Sequence, residues 1–445
     1  MTKFDDLPDD ILRLISKERL KPIHSRKYRI RLWRKILPIV AVCRRWRRIA
    51  KGIVYAHAII DVGTFAHQLD DSWDFECEQI EPSNIELIEK NGAQHMVQRL
   101  CVIAPESETS LHCLLSIANA FHVDFSKYPE LERLSRCYTL DDNGDFVGQS
   151  YHPEYLLVAR EIAGDISRRY PNVSSLDSIA TEFSHEQHGH FVDMLVETYT
   201  TQITQVRCFV HGYFPKLTSA TQLQFLKISG DSAYNSNAIP VAPGVLRCLW
   251  LQGNEVDFTW NDLRHDEEAD IVRFDYLNTL VIENKAGYHH RMARFNFGFE
   301  FPQLTSLRLH WVKLTTNIAT CLMRSPLRQL DFAGLPRDAL LLCNLNTGSL
   351  ERLALSIDCD MLDVPGDERV PLIRELFDHM QKIPEVWCDI RMGNYYLDIT
   401  DYDFSHYTNL ELHASIDVDL FIKKLPTMQK LVRFFLDFRD FNEER

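Results

Sequence analysis

The residue types that suggest chemistry fall in a few short stretches. "SHEQHGH", residues 184–190, gathers His185, His188 and His190, imidazoles of the kind that hold zinc. A zinc site of this sort needs the H-E-x-x-H spacing, which sets two ligands on one helix face, or a thiol cluster beside it. Neither is present, and Ser184 with Gln187 has the spacing of a capping box, so the histidines read as the first turns of an ordinary helix. "HH" at 289 and 290 sits among Lys285, Arg291 and Arg294 and reads as a solvated turn. No P-loop, G-x-G-x-x-G or G-x-S-x-G occurs. Carboxylates are abundant, but no spacing singles out a pair for acid/base work. The sequence therefore reads as a non-enzyme, with no catalytic residue, metal ligand set or cofactor.

Recognition chemistry is better signalled. Apolar triads of the form L-x-x-L-x-L recur along the chain, and "LRCLWLQGN" extends one of them to the full leucine-rich pattern through Leu246, Leu249, Leu251 and Asn254. Incomplete versions start at Leu223, Leu277, Leu304, Leu327 and Leu350, with intervals of 23, 31, 27, 23 and 23 residues between successive first leucines. If each triad is a strand, alternation points the intervening side chains away from the leucines. Those positions hold Lys227, Trp250, Gln252, Glu283, Arg308, His310, Asp331 and Arg352, the candidate target-binding set. Trp250 is the most informative, since a large aromatic on a strand face is either an interface anchor or a ring covered by neighbouring chain.

The elements that position these residues follow from the same periodicity. One strand with its return segment cannot bury its own apolar edge, so the units must stack and share one core, and an Asn ladder would satisfy backbone groups at the bend. Upstream the units are longer: "HAIIDV" reads as a strand, Val97, Leu100 and Val102 precede a helical run near 111–121, Leu131 and Leu134 one at 154–169, and Val173 and Leu176 one at about 185–202. A helix over 372–382 fills the interval before the next unit near Val386. The predicted fold class is α/β, a short helical N-terminus (1–55) followed by an irregular repeat solenoid (56–445) with strands concave and helices convex.

Composition is compatible with this. The chain has 445 residues, 45% hydrophobic and 25% charged, which excludes a disordered polar chain and exceeds what one compact core usually supports. No apolar run is long enough to span a membrane, and Asp5, Asp6, Asp9 and Asp10 stand where a signal peptide would carry cations. The expected location is cytoplasmic and/or nuclear. The 11 cysteines are scattered without a CxxC pair, as reduced core thiols are. Charge is lopsided: residues 1–51 hold 16 Lys or Arg against 5 Asp or Glu, and the remainder 33 against 58. Such asymmetry implies different partners for the two ends.

At the basic end, "LPDDILRLI" reads as a short amphipathic helix with Pro8 in its first turn and Ile11, Leu14 and Ile15 at helical spacing. "VAVCRRWRRIA" continues another, in which Val42, Trp46 and Ile49 line an apolar stripe opposite Arg44, Arg45, Arg47 and Arg48. A third helical stretch over 28–37 carries Ile30, Trp33 and Leu37. Three such helices enclose little core, so either another subunit or the following repeats must cover them.

Leu7-Pro8-Asp9-Asp10-Ile11-Leu12 followed by Val42-Cys43-Arg44-Arg45-Trp46 resembles the two halves of an F-box, over about residues 4 to 55. The interval 17–35 is longer than the family pattern, through a longer loop or an extended middle helix. The resemblance implies docking to the Skp adaptor of a cullin-RING ubiquitin ligase. It assigns adaptor-facing or helix-joining roles to Leu7, Pro8, Ile11, Leu12, Ile15, Leu37, Val42, Cys43 and Trp46. With the repeats, the whole chain is similar to F-box proteins with leucine-rich repeats, substrate receptors that bind a protein target. Two other readings stand beside it: an interaction scaffold whose F-box-like helices only cap the solenoid, and a nucleic-acid-associated scaffold, which the acidic remainder disfavours.

Overall fold

The computed structural model describes residues 8–12, 44–61, 85–103, 153–179, 194–210, 217, 220–230, 245–253, 272–284, 293–294, 299–314, 319–320, 322, 324–345, 350–359 and 366–436. They belong to two compact units, Met1–Gln222 and Leu223–Arg445. Both are α/β and built on parallel strands.

In the first unit, β1 (His57–Asp61), β2 (Arg99–Ile103), β3 (Ser175–Ile179) and β4 (Gln205–Val210) pair in chain order, all parallel. Helix α1 (Arg44–Val54) precedes β1, α2 (Ile85–Lys90) precedes β2, and α3 (Pro153–Arg169) precedes β3. Pro153 opens α3 at the position where a missing N–H costs nothing. Val158, Ala159, Ile162, Ala163 and Ile166 are all fully buried, the single face that the helical period predicts.

The second unit continues the scheme. Strands β5 (Phe225–Gly230), β6 (Cys248–Gly253), β7 (Thr279–Asn284), β8 (Ser306–His310), β9 (Gln329–Gly334), β10 (Arg352–Asp358), β11 (Glu385–Tyr396), β12 (Tyr407–Ser415) and β13 (Arg433–Leu436) also pair parallel in chain order, as an open sheet. Helices α4 (Pro336–Leu345) and α5 (Gly366–Met380) pack on each other and on β10 and β11, and α6 (Val418–Lys424) lies between β12 and β13. Asp417 caps α6 by accepting from Leu420 N–H at 2.9 Å.

One frame underlies most of the strands: an apolar residue, another three on, a third two further. Leu246, Leu249 and Leu251 fit it, and so do Leu223, Leu226 and Ile228; Leu277, Leu280 and Ile282; Leu304, Leu307 and Leu309; Leu327, Leu330 and Phe332; Leu350, Leu353 and Leu355, all buried. The strands expected from the leucine triads are therefore present. The frame also runs where leucine is replaced, in Tyr55, Ala58 and Ile60, in Ile203, Val206 and Cys208, in Ile383, Val386 and Cys388, and in Tyr407, Leu410 and Leu412. Strand β12 was not legible as a repeat because Tyr407 stands in the first position.

Register keeps the frames aligned. Leu226 lies beside Leu249, Leu280, Leu307, Leu330 and Leu353 in turn, so the side chains form one continuous row. At about 1.5–3 kcal/mol for each buried leucine-sized side chain, this shared row is the main cohesive term. The backbone entering the strands is satisfied by a recurring bond pair. The carbonyl one residue after the first apolar position accepts from two successive N–H groups of the next coil, as Arg247 does from Asn278 and Thr279, and Asn278 from Thr305 and Ser306. Asn254 lies outside the described residues.

Of the expected helices, α3 matches 154–169, and α5 covers the 372–382 region but starts earlier and ends at Met380. Of the expected 185–202 helix, residues 194–202 are described: 194–198 are helical and 199–202 form a turn. The runs at 28–37 and 111–121, Leu131, Leu134, "SHEQHGH" and His289–His290 lie outside the described residues. Cys208, Cys343, Cys359 and Cys388 are buried, and burial pushes the Cys343 thiol up to about 12. Among the described residues no helix is long and apolar enough to cross a membrane.

Candidate functional site

In the second unit the non-leucine side of the sheet carries the candidate target-binding residues. Parallel pairing in register sets Lys227, Trp250, Val281, Arg308 and Asp331 in one row and Ser229, Gln252, Glu283, His310 and Ala333 in the next. Of the residues that alternation alone placed on this side, all but Arg352 are thereby brought into contact.

Glu283 is the hub. Its Oε2 accepts from Trp250 Nε1 at 3.2 Å and from Gln252 Nε2 at 2.9 Å, and its Oε1 accepts from Arg308 Nη1 at 3.3 Å. The Glu283 side chain is only 12% exposed, so these donors stand in for the water it has lost. Ser229 Oγ donates to Gln252 Oε1 at 3.2 Å, which fixes the amide that serves Glu283. Lys227 Nζ lies 3.5 Å from the centroid of the Trp250 ring, close enough for cation–π attraction. Trp250 is thus engaged at its edge by Glu283 and over its face by Lys227. It belongs to a prearranged polar platform and is not a bare aromatic anchor.

The network continues through Arg308, whose Nε lies 2.6 Å from Asp331 Oδ2, and through His310, whose Nε2 lies 2.9 Å from Asp331 Oδ1 and whose Nδ1 lies 4.0 Å from Glu283 Oε1. Partial burial would raise the Asp331 carboxyl. The hydrogen bond and charge of His310, and then Arg308, outweigh it and hold the group below the usual carboxylate range. Arg352 stands apart in a different row and pairs with Glu385 at 3.3 Å.

Immediately after His310 the backbone turns through Trp311, whose φ is 58°. A bulky residue in that left-handed region is strained. The turn lets the Trp311 N–H donate to the Ala333 carbonyl of β9 at 2.7 Å, which ends β8 where the His310 ring meets Asp331.

Spacing alone did not reveal Ser229, which supports Gln252, or the residues on β10 to β12 that extend the same side of the sheet. There Ser356 Oγ donates to Asp389 Oδ2 at 3.1 Å, and Asp389, Glu411 and His413 form a cluster with separations that a metal ion could bridge. The signal available in the sequence was the frame itself, once Tyr407 is admitted to its first position.

In the first unit the two N-terminal half-motifs meet. Residues 9–12 are helical, and Arg45 on α1 directs Nε and Nη2 to Asp9 Oδ1 at 2.8 and 2.6 Å, with Arg48 Nη2 at 3.4 Å from Asp9 Oδ2. Leu12, Trp46 and Ile49 are buried, whereas Pro8 is exposed and Ile11 is 42% exposed. Among the candidate adaptor residues, then, Leu12 and Trp46 join the helices while Pro8 and Ile11 face outward. Leu7, Ile15, Leu37, Val42 and Cys43 lie outside the described residues.

No protein-family model matches this sequence, and no curated protein matches it.

Proposed function

We propose that the protein is a substrate-recognition subunit of an SCF-type cullin-RING ubiquitin ligase, docking to the Skp adaptor through its N-terminal helices and holding a protein target on the sheet side around Glu283. The observation that carries this reading is the closure of Asp9 on Arg45. It joins the Leu-Pro half of the F-box-like sequence to its Cys-x-x-Trp half despite the lengthened interval. Exposed Pro8 and Ile11 on the joined helices supply an apolar surface of the type an adaptor covers. The platform of Lys227, Trp250, Gln252, Glu283, Arg308, His310 and Asp331 supports the second half of the reading, because fixed donors and acceptors discriminate targets at low ordering cost. Such a receptor acts by raising the effective concentration of target near a ubiquitin-loaded enzyme and needs no chemistry of its own.

The test is co-purification of the full chain with the Skp adaptor. Ile11→Asp puts a charge on the exposed surface and is expected to lower adaptor capture at least tenfold with unchanged circular dichroism. Trp46→Ala is a poor substitute, since Trp46 is buried and its loss would disturb the helices themselves. Undiminished capture by the Ile11→Asp chain, or none by the wild type, would leave an interaction scaffold with a helical cap as the better description.

A further inference from the structure

We infer that Asp389, Glu411 and His413 form a binding site for a divalent transition-metal ion, of which zinc is the best match. Strand β11 supplies Asp389 and β12 supplies Glu411 and His413. Asp389 pairs with Glu411, and Arg391 with His413, so the two β12 ligands stand on one side of the sheet with Asp389 beside them. One ligand atom from each lies within 4.8 Å of the others, and His413 Nε2 is 3.9 Å from Asp389 Oδ1. Small rotamer changes bring such atoms to the separations that ligands of one ion require.

A separate observation points to a ligand. Asp389 is 7% exposed, and Ser356 holds its Oδ2, yet its Oδ1 is buried and receives no hydrogen bond. Buried carboxylate oxygens in native proteins are almost always given a donor or an ion. This oxygen is the one turned toward His413.

Two arginines compete for the same carboxylates. Arg391 Nε is 3.8 Å from Asp389 Oδ1, beyond hydrogen-bond range, and Arg433 Nε is 3.0 Å from Glu411 Oε1. Both guanidinium side chains are about half exposed or more, at 45% and 67%, and half-exposed ion pairs are individually weak. An ion held by three protein ligands displaces them readily. The imidazole disfavours calcium and magnesium, whereas zinc takes imidazole nitrogen and carboxylate oxygen alike. Three ligands leave a fourth position for water or for a donor from a bound molecule, on the same side of the sheet as the Glu283 network.

The full chain, stripped with EDTA, would be titrated with Co2+ as a spectroscopic probe and back-titrated with Zn2+. The chain has 18 histidines and 11 cysteines, so the informative quantity is the difference between wild type and the Asp389→Asn and His413→Gln variants. We expect a visible Co2+ band at one equivalent in the wild type, displaced by Zn2+, and at least tenfold weaker binding in each variant. Should either variant fail to fold, the wild type alone decides: Zn2+ is expected to protect His413 from diethyl pyrocarbonate, mapped by mass spectrometry. Equal Co2+ binding in wild type and folded variants, or unprotected His413 at saturating Zn2+, would overturn the assignment. Adaptor capture is scored separately and bears only on the N-terminal helices.

Discussion

Trp250 and Glu283, 33 positions apart on neighbouring strands, share one hydrogen bond from indole Nε1 to carboxylate Oε2 at 3.2 Å. The bond ties a large aromatic side chain on the sheet face to a largely buried carboxylate, and the rest of the polar platform is arranged around it. A surface already satisfied internally recognises a target by exchanging individual hydrogen bonds, so small changes in the network should alter selectivity as well as stability.

Removing the hub should be costly. Glu283→Ala leaves the Trp250 indole, the Gln252 amide and one Arg308 donor without their acceptor, and is expected to lower unfolding stability by about 1–3 kcal/mol. Arg352→Ala, at an exposed pair with Glu385 outside the network, is expected to cost less than about 1 kcal/mol. Urea unfolding followed by circular dichroism compares the two directly, and equal losses would remove the special status of Glu283.

Acid should weaken the platform through Asp331. Its carboxyl is depressed in the folded protein, so between the unfolded value near 4 and the lower folded value the unfolded chain binds the proton first. The contribution is fully present above about pH 4 and is lost as pH falls through the folded value. Asp331→Asn should therefore flatten the stability profile below about pH 4. Parallel profiles for the two proteins in the acid limb would contradict this assignment.

The aromatic cluster beneath β11 and β12 should be the most sensitive part of the second unit. Phe404 meets Phe377 edge-on at 5.9 Å and Tyr407 at 5.1 Å, while Phe377 stacks on Tyr402 at 4.7 Å, all deeply buried. Phe404→Ala is expected to cost about 3–5 kcal/mol. Hydrogen exchange should then show earlier opening of α5, β11 and β12 than of β6 to β8. Uniform loss of protection across the second unit would mean that these strands do not open separately.

Much of the fold was legible because a strand's burial pattern is local. Leu223, Leu246, Leu277, Leu304, Leu327 and Leu350 each announce a strand through their own next five residues, and alternation then assigns Lys227, Trp250, Glu283 and Arg308 to the opposite side. Tyr407 hid the corresponding unit, because a tyrosine fills the first buried position as well as a leucine but does not spell the motif. At the amino end the apolar spacing of "LPDDILRLI" anticipated a helix, but its stripe of Ile11, Leu14 and Ile15 did not single out Leu12, which is buried while Ile11 is 42% exposed.

Which side of the sheet a residue occupies was thus determined by the sequence alone, since it depends only on the position within a strand. Which residues become partners was decided by tertiary structure, since cross-strand neighbours depend on register. The one-residue register shift between β11 and β12 at Val386–Trp387 sets Glu411 opposite Asp389 and His413 opposite Arg391. No spacing within a single strand encodes that meeting. The same holds for Asp9 and Arg45, whose contact closes across 36 positions of intervening chain.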